Sequence, residues 1–520
     1  MRYPSFFVAP FAGSLIAILA FSEPAEAAHY EVGPGKAFAS LQDVAPKLAP
    51  GDVVEVDGGT TYPGDITFTQ SGTAAEKITL VGKRSAGGKR PVLSGGVNTV
   101  HMHADHYVMK GFEITGGESR CVFHHGDDIT IQDSVIHDCP KHGILGADEE
   151  AGSLTLSYVE VYSCGSGDSK HPIYMATDEE VHPGSVFRME HCYVHDGNGG
   201  NNVKSRAQRN EIRYNWIEGA LYHEIELIGP DGADEALFRE DSDVVGNVFR
   251  KTGDGYLARF GGDGTGQTNG RYRFLGNTVV LAPGSSAVFR LYDGLESVEM
   301  HGNVFYRAGG GGVQILRDSD ASWVTGKAEI AGSHNWIPSD STEVPATWTS
   351  TLTGTDPGFA SAEALDFRPA AASALRGQGV ADPAGSPGFP FPSPLASPLF
   401  QPPQHAIEVF DTAIPRAASG SIDVGAFAVG VEGSPMSPPS DDGSAGADPS
   451  GGDPVAVPGD GTPVPGSDGA AGAETDSASA TETEGGCSLG AASSAPPFGA
   501  LATALSLVLF RWSRRLGRRG

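Results

Sequence analysis

One short pattern dominates the middle of this chain: Asn, any residue, then an apolar residue. It stands at Asn215-Trp216-Ile217, Asn247-Val248-Phe249, Asn277-Thr278-Val279, Asn303-Val304-Phe305 and Asn335-Trp336-Ile337, at steps of 32, 30, 26 and 32 residues. Between the Asn positions runs a second apolar segment: Val203–Arg206, Ile225–Ile228, Leu257–Phe260, Val288–Leu291 and Val313–Leu316. Earlier segments keep the shape without the Asn. Ser134-Val135-Ile136-His137-Asp138-Cys139 matches Val159–Cys164 and Cys192–Gly197. Strands this short cannot bury their apolar positions alone, so they must coil and stack. Leu does not recur regularly enough for a leucine-rich repeat, and there are too few strands per repeat for a propeller blade. A parallel β-helix satisfies the pattern, with the repeated Asn stacked at one corner and bonded along the axis through its amides.

Composition agrees. Gly accounts for 72 of 520 residues and Pro for 36, which favours turns over long helices. The formal net charge is −29, which argues against phosphate neutralisation and so against a nucleic-acid binder. Residues 28–430 still carry most of that negative charge, so a local basic cluster there stands out.

The opening Gly33-Pro34-Gly35-Lys36-Ala37-Phe38, then Pro50-Gly51-Asp52-Val53-Val54 and Gly59-Thr60-Thr61-Tyr62, resembles the N-terminal cap and first coil of right-handed parallel β-helix proteins of the polysaccharide-lyase and pectinase kind. Asp356-Pro357-Gly358-Phe359, Asp366-Phe367-Arg368 and Ser421–Phe427 resemble their end region. The resemblance spans 31–428. It implies an all-β, right-handed parallel β-helix over 28–340, with a capping helix at Leu41–Leu48 and a C-terminal extension or cap over 341–430. It also implies an extracellular polysaccharide as partner.

The most polar coil runs Asp196-Gly197-Asn198-Gly199-Gly200-Asn201-Asn202-Val203-Lys204-Ser205-Arg206. With Val203 and Ser205 inward, Lys204 and Arg206 point outward. The next coil adds His223, Glu224 and Glu226, and the two after it add Arg259 and Arg290. Eliminative cleavage of a uronate polymer needs a base for the proton beside the carboxylate, a cation on that carboxylate, and a proton for the leaving oxygen. Lys204 serves as base only where neighbours such as Arg206 lower its pKa from ~10.4, and an Arg supplies the clamp. The catalytic set expected is therefore Lys204, Arg206, His223 and Arg259, with Asn201, Asn202, Glu224, Glu226 and Arg290 binding substrate. Val203-Lys204-Ser205 followed by Asn210 resembles the catalytic-lysine coil of the chondroitinase B/alginate lyase family. That family has an Arg on the next coil and acidic calcium ligands before the lysine. Here those places hold Glu226-Leu227-Ile228-Gly229 and Asn201-Asn202, so Arg259 must replace the Arg. Calcium as a cofactor stays open, without a ligand motif, and no metal ligands are assigned.

Competing readings remain. Lys204 and Arg206 also suit a solvated outer strand on a non-catalytic, polysaccharide-binding or adhesive solenoid. Asp127 and Asp128 resemble the paired acids of polygalacturonase-type hydrolases. His101-x-His103-x-x-His106 offers two or three metal donors on one strand but no third fixed ligand. His137, Tyr162 and His195 fall at equivalent positions and are expected to stack.

The ends read as addresses. The apolar run Phe6–Phe21 and Ala25-Glu26-Ala27 form a secretory signal over 1–27. Residues 431–486 carry eleven acids and no base, and should be a disordered, self-repelling stalk. Gly486-Cys487-Ser488, an uncharged run to Phe510 and five Arg in the last ten residues resemble the MYXO-CTERM surface-sorting tails. That resemblance makes 487–520 a sorting tail and hydrophobic anchor, Cys487 a processing or lipidation point, and the cell-surface sorting machinery a partner. A plain transmembrane anchor is the alternative. The expected product is a monomer, exported and held at the surface, touching membrane only through this tail. Export permits disulfides. Cys139 and Cys164, 25 residues apart at equivalent positions, are expected to pair, with Cys121 and Cys192 unassigned.

Overall fold

The computed structural model describes residues 27–229, 241–262, 270–292, 294–319, 323, 326–391, 393–394, 397–403, 413–416 and 422–429. The signal, stalk and sorting-tail assignments, Cys487 included, lie outside these residues. Among the described residues no helix is long and apolar enough to cross a membrane.

The chain winds as a right-handed parallel β-helix. Each complete coil lays down three strands, one on each of three faces. The third face is a ten-stranded sheet from Ile66–Phe68 to Gln314–Ser319. The first two faces join at a shallow bend, so in two coils their strands run on as nine residues, Ile129–His137 and Leu154–Tyr162. Asp133 and Tyr158 sit at this bend with φ of 42° and 54°. Strand pairing between successive coils is parallel throughout. Side chains alternate in and out, as at Val53–Asp57, where Val54 and Val56 are buried. Inward rows of Val, Ile, Leu, Met and Phe merge into one core along the axis.

The N-terminal end of that core is closed by a helical turn, Leu41–Val44 continued by Ala45–Lys47. Ser40 starts it: its backbone N–H and hydroxyl both donate to the Asp43 carboxylate, at 3.1 and 2.9 Å. Leu41, Val44, Ala45 and Leu48 are buried against the first coils.

The Asn ladder is present as expected. Asn215, Asn247, Asn277, Asn303 and Asn335 are all fully buried. The amide Nδ2 of each of the first four donates to the Oδ1 of the next Asn, at 3.0, 3.0, 3.1 and 3.0 Å. Each Oδ1 also accepts the preceding Asn's backbone N–H, at 2.8 to 3.0 Å. The residue before each Asn takes a left-handed conformation: Tyr214, Gly246, Gly276, Gly302 and His334 have φ of 56–67°. That corner turns its peptide out of the sheet, and the Asn amide satisfies it. On the outside, His137, Tyr162 and His195 pair in register and stack, with ring centroids 5.0 Å apart at both steps.

The disulfide expectation is corrected. Cys139 bonds Cys121, not Cys164, across a Cα–Cα distance of 5.8 Å; Cys164 and Cys192 are free and buried. Cys139, Cys164 and Cys192 each direct Sγ at the carbonyl two residues back, at 3.4, 3.2 and 3.4 Å. The stacked thiols therefore share one direction and do not converge. Cys121 comes from the third-face strand Arg120–His124 and faces Cys139 from across the coil.

Residues 341–354 add a last partial coil, with Leu352–Gly354 paired in parallel to Trp336–Pro338, and the described residues after it lie along the outside of the coils. Phe367 stacks on Trp216 at 5.6 Å. Leu375 and Val424 pack on Val304 and Trp336, and Phe400 packs on Tyr214, Val245 and Leu275. Phe391 lies 3.6 Å from the Arg273 guanidinium. All these partners belong to the first two faces or the bend between them.

Candidate functional site

Parallel pairing turns a sequence offset into a straight row. On the third face Tyr174 pairs with Lys204, Lys204 with Glu226, Glu226 with Arg259, and Arg259 with Arg290. Neighbouring strands are ~4.8 Å apart, so Lys204 to Arg290 spans ~14 Å. The expected residues Lys204, Glu226, Arg259 and Arg290 thus form one outer row of three cations and one carboxylate.

Glu226 is fully buried at the centre of this row. A buried carboxylate must be paired and hydrogen-bonded. Arg259 meets it through Nε and a terminal nitrogen, and the Asn201 amide donates to its other oxygen. The Lys204 ammonium is 3.7 Å from that second oxygen and 5.1 Å from the Tyr174 ring centroid. Asn201 also accepts the His223 backbone N–H at 3.0 Å, while its own N–H donates to His171 Nδ1 at 2.9 Å.

His223 stacks on Tyr256 at 4.1 Å and bonds its carbonyl through Nδ1 at 3.3 Å. Burial, then Arg259, holds His223 well below its ordinary pKa. His171 is held down in the same way by burial, then by Lys204. Both imidazoles are therefore neutral and add no charge to the row. Arg290 lies 4.5 Å from the Tyr292 ring and Arg317 lies 4.8 Å from the Tyr256 ring, so the row ends in an aromatic and arginine-rich patch.

Arg206 departs from the simple in–out alternation. Only 3% of it is exposed, because it folds along the strand end: Nε donates to the Tyr174 hydroxyl at 3.0 Å and a terminal nitrogen donates to the Gly229 carbonyl at 2.5 Å. Asn202 and Glu224 are not brought to the outer row. Both are fully buried beneath the corner. Asn202 Nδ2 donates to Glu224 at 2.8 Å, the Ala220 N–H donates to Glu224 at 3.1 Å, and Lys251 lies 3.9 Å away. Burial raises the Glu224 carboxyl to about 7 and lowers Lys251.

The other candidates take different roles. Asp128 binds Lys77 at 2.7 Å and His106 at 3.0 Å, while Asp127 accepts the Ser153 N–H at 2.6 Å. Both acids of this pair brace the turn. His106 is thereby separated in role from His101, whose Nε2 contacts His125 Nδ1 at 3.1 Å, and from His103, which bonds Glu150 at 2.9 Å. Among the described residues no group of three or more His, Cys, Asp or Glu is arranged to hold a metal.

Tyr174, His171, Tyr256, Tyr292 and Arg317 belong to the site and are not in the expected set. The signal for Tyr174 was its place one coil before Lys204. The 29-residue offset to Leu145 and the 30-residue offset to Lys204 are hard to read across the irregular stretch 164–172.

Fold and site together define a parallel β-helix protein with a cation-rich row along its third face. No protein-family model matches the chain and no curated protein matches it. Among solved structures it is similar to the pectate lyase Pel9A, at 14% identity and TM-score 0.43, over 78% of this chain and 97% of that one. It is also similar to a rhamnogalacturonan lyase, at 13% and 0.40, over 65% and 93%. An alginate lyase from Paenibacillus sp. str. FPU-7 matches at 16% and 0.27, over 60% and 92%. No residue role passes from them to this chain.

Proposed function

We propose that the protein is a polysaccharide lyase that cleaves an acidic polysaccharide by β-elimination, exported and held at the cell surface. The observation that carries the activity is the row itself. Lys204, Arg259 and Arg290 line up in register with Glu226 on one face of a protein whose net charge is −29. Cations gathered in one row attract and orient a polyanion. In this reading Arg259 and Arg290 neutralise the uronate carboxylate, which acidifies the neighbouring C–H, and Lys204 takes that proton. Glu226 fixes Arg259 and Lys204 in place. His223 and Tyr256 form the wall beside them. Export and anchoring rest on the sequence of the two ends: the Phe6–Phe21 run, the stalk and the Cys487 tail.

The test is incubation with alginate, chondroitin, heparin and pectin, following the ultraviolet absorbance of unsaturated ends. At least one should be cleaved, and Lys204→Ala should lower the rate 100-fold or more while sparing binding. Arg290→Ala should weaken binding, more so at low salt, where the Debye length is long. Four inert polymers would sink the lyase reading.

A second reading has its own support. Glu226 already engages Arg259 and Lys204, so the row carries a counter-ion of its own, as suits a non-catalytic binding surface. Binding of one of these polymers without any rise in absorbance would select it.

A further inference from the structure

The expected set names a base and a clamp but assigns no residue to protonate the leaving oxygen. The geometry points to Tyr174, and we infer that its phenol is the general acid of the elimination. This rests on the lyase reading of the Lys204 row. Tyr174 is half-buried on the outer side of Ile173–Ala176 and pairs in register with Lys204. Lys204 therefore stands between Glu226 on one side and Tyr174 on the other. The Glu226 side carries the arginines and receives the carboxylate. The Tyr174 side is left for the glycosidic oxygen.

Two contacts suit Tyr174 to the role. Arg206 Nε donates to its hydroxyl oxygen at 3.0 Å. A guanidinium there stabilises the phenolate that forms when the proton leaves. Arg206 is itself buried and tied to the Gly229 carbonyl, so it cannot swing away, and it acts as a positioning residue. The Lys204 ammonium lies over the Tyr174 ring, 5.1 Å from its centroid, so the two groups face the same stretch of substrate. The other tyrosines are placed less well. Tyr256 is covered by His223 and meets Arg290 through its hydroxyl at 3.4 Å, and Tyr292 lies against Arg259 and Arg290.

The step balances without a co-reactant. Lys204, as its neutral amine, takes the proton from the carbon beside the carboxylate and becomes an ammonium. The electron pair left behind becomes the new carbon–carbon double bond, and the bond from the adjacent carbon to the glycosidic oxygen breaks. That oxygen takes the phenolic proton of Tyr174 and leaves as a sugar hydroxyl. The Tyr174 phenolate then regains a proton from the Lys204 ammonium, and both groups are restored.

The experiment uses the full-length protein and Tyr174→Phe, which keeps the ring under Lys204 and removes only the hydroxyl. Alginate, chondroitin, heparin and pectin are the probes, with melting curves to confirm folding. On the polymer the parent cleaves, kcat should fall 100-fold or more with KM within threefold. A uronoside with an aryl leaving group, which departs without a proton, should be cleaved by parent and variant at similar rates. A variant kcat within threefold of the parent on the polymer overturns the Tyr174 assignment and leaves the lyase reading standing. A parent inert on all four polymers removes both.

Discussion

Replacing Asn247 with Ala removes the centre of the amide ladder. Four hydrogen bonds go with it. The Oδ1 accepts Asn215 N–H at 2.8 Å and Asn215 Nδ2 at 3.0 Å, and the Nδ2 donates to the Ile212 carbonyl at 2.9 Å and to Asn277 Oδ1 at 3.0 Å. Two of these partners retain other bonds: Asn215 Nδ2 still reaches the Met189 carbonyl, and Asn277 Oδ1 still accepts the residue 247 backbone N–H. The Asn215 N–H loses its amide acceptor in a fully buried site. One net hydrogen bond is worth about 0.5–1.5 kcal/mol and one orphaned buried group costs about 1–3 kcal/mol, so the total is about 3 kcal/mol. With an unfolding entropy of about 2.1 cal/mol/K per residue over roughly 400 residues, that lowers the melting temperature by about 4 °C. Asn198 is the control. It is exposed, and its backbone N–H, which Ala retains, donates to the Cys164 carbonyl at 2.8 Å. Calorimetry of Asn247→Ala, Asn198→Ala and parent gives the answer. Equal shifts in the two variants would refute the ladder as a source of stability.

Two further outcomes follow from buried groups. A non-reducing peptide map should show Cys121 joined to Cys139, with Cys164 and Cys192 unreactive to thiol reagents until unfolding, since burial pushes both thiols up to about 12; Cys121→Ser should cost about 3 kcal/mol for a loop of 18 residues, and a Cys139–Cys164 peptide would contradict the assignment. Glu224 keeps its proton to about pH 7 when folded, against 4.5 ordinarily, so its contribution is full below pH 4.5 and is lost as pH rises towards 7; Glu224→Gln should flatten that loss in denaturant titrations, and an unchanged slope would refute it.

The coil architecture was legible because a solenoid repeats its chemistry. The Asn corner, the polar coil from Asp196 and the capping segment at Leu41 each carry a local signal that stacking only confirms. The outer row was legible for the same reason: Lys204, Glu226, Arg259 and Arg290 hold equivalent places in consecutive segments. The disulfide was not, because equivalence fixes the distance between Cys139 and Cys164 but not the direction of their thiols. The burial of Glu224 and Asn202 was hidden as well. They lie at the corner before the strand, where alternation no longer says which way a side chain faces. Nor could repeat spacing show that the coil would continue to Gly354 and that the described residues after it would lie along two faces of the coil stack.

The described residues after Gly354 lie on the first two faces, and those faces differ from the third in how charge is arranged. On the first face the charged columns are neutralised within the stack: Arg271 pairs with Asp241 and Arg273 with Asp243 across adjacent coils, with Phe391 laid against them. On the third face Arg259 and Arg290 are direct cross-strand neighbours of like charge, an arrangement that costs on the order of 1 kcal/mol rather than stabilising the sheet. Tyr292 lies against both guanidiniums, at 5.9 and 4.5 Å, and offsets part of that cost. A solenoid can place an acid opposite a base, as its first face does at Arg271 and Arg273. On the third face two arginines instead stand side by side in register, which is the arrangement the proposed uronate clamp uses.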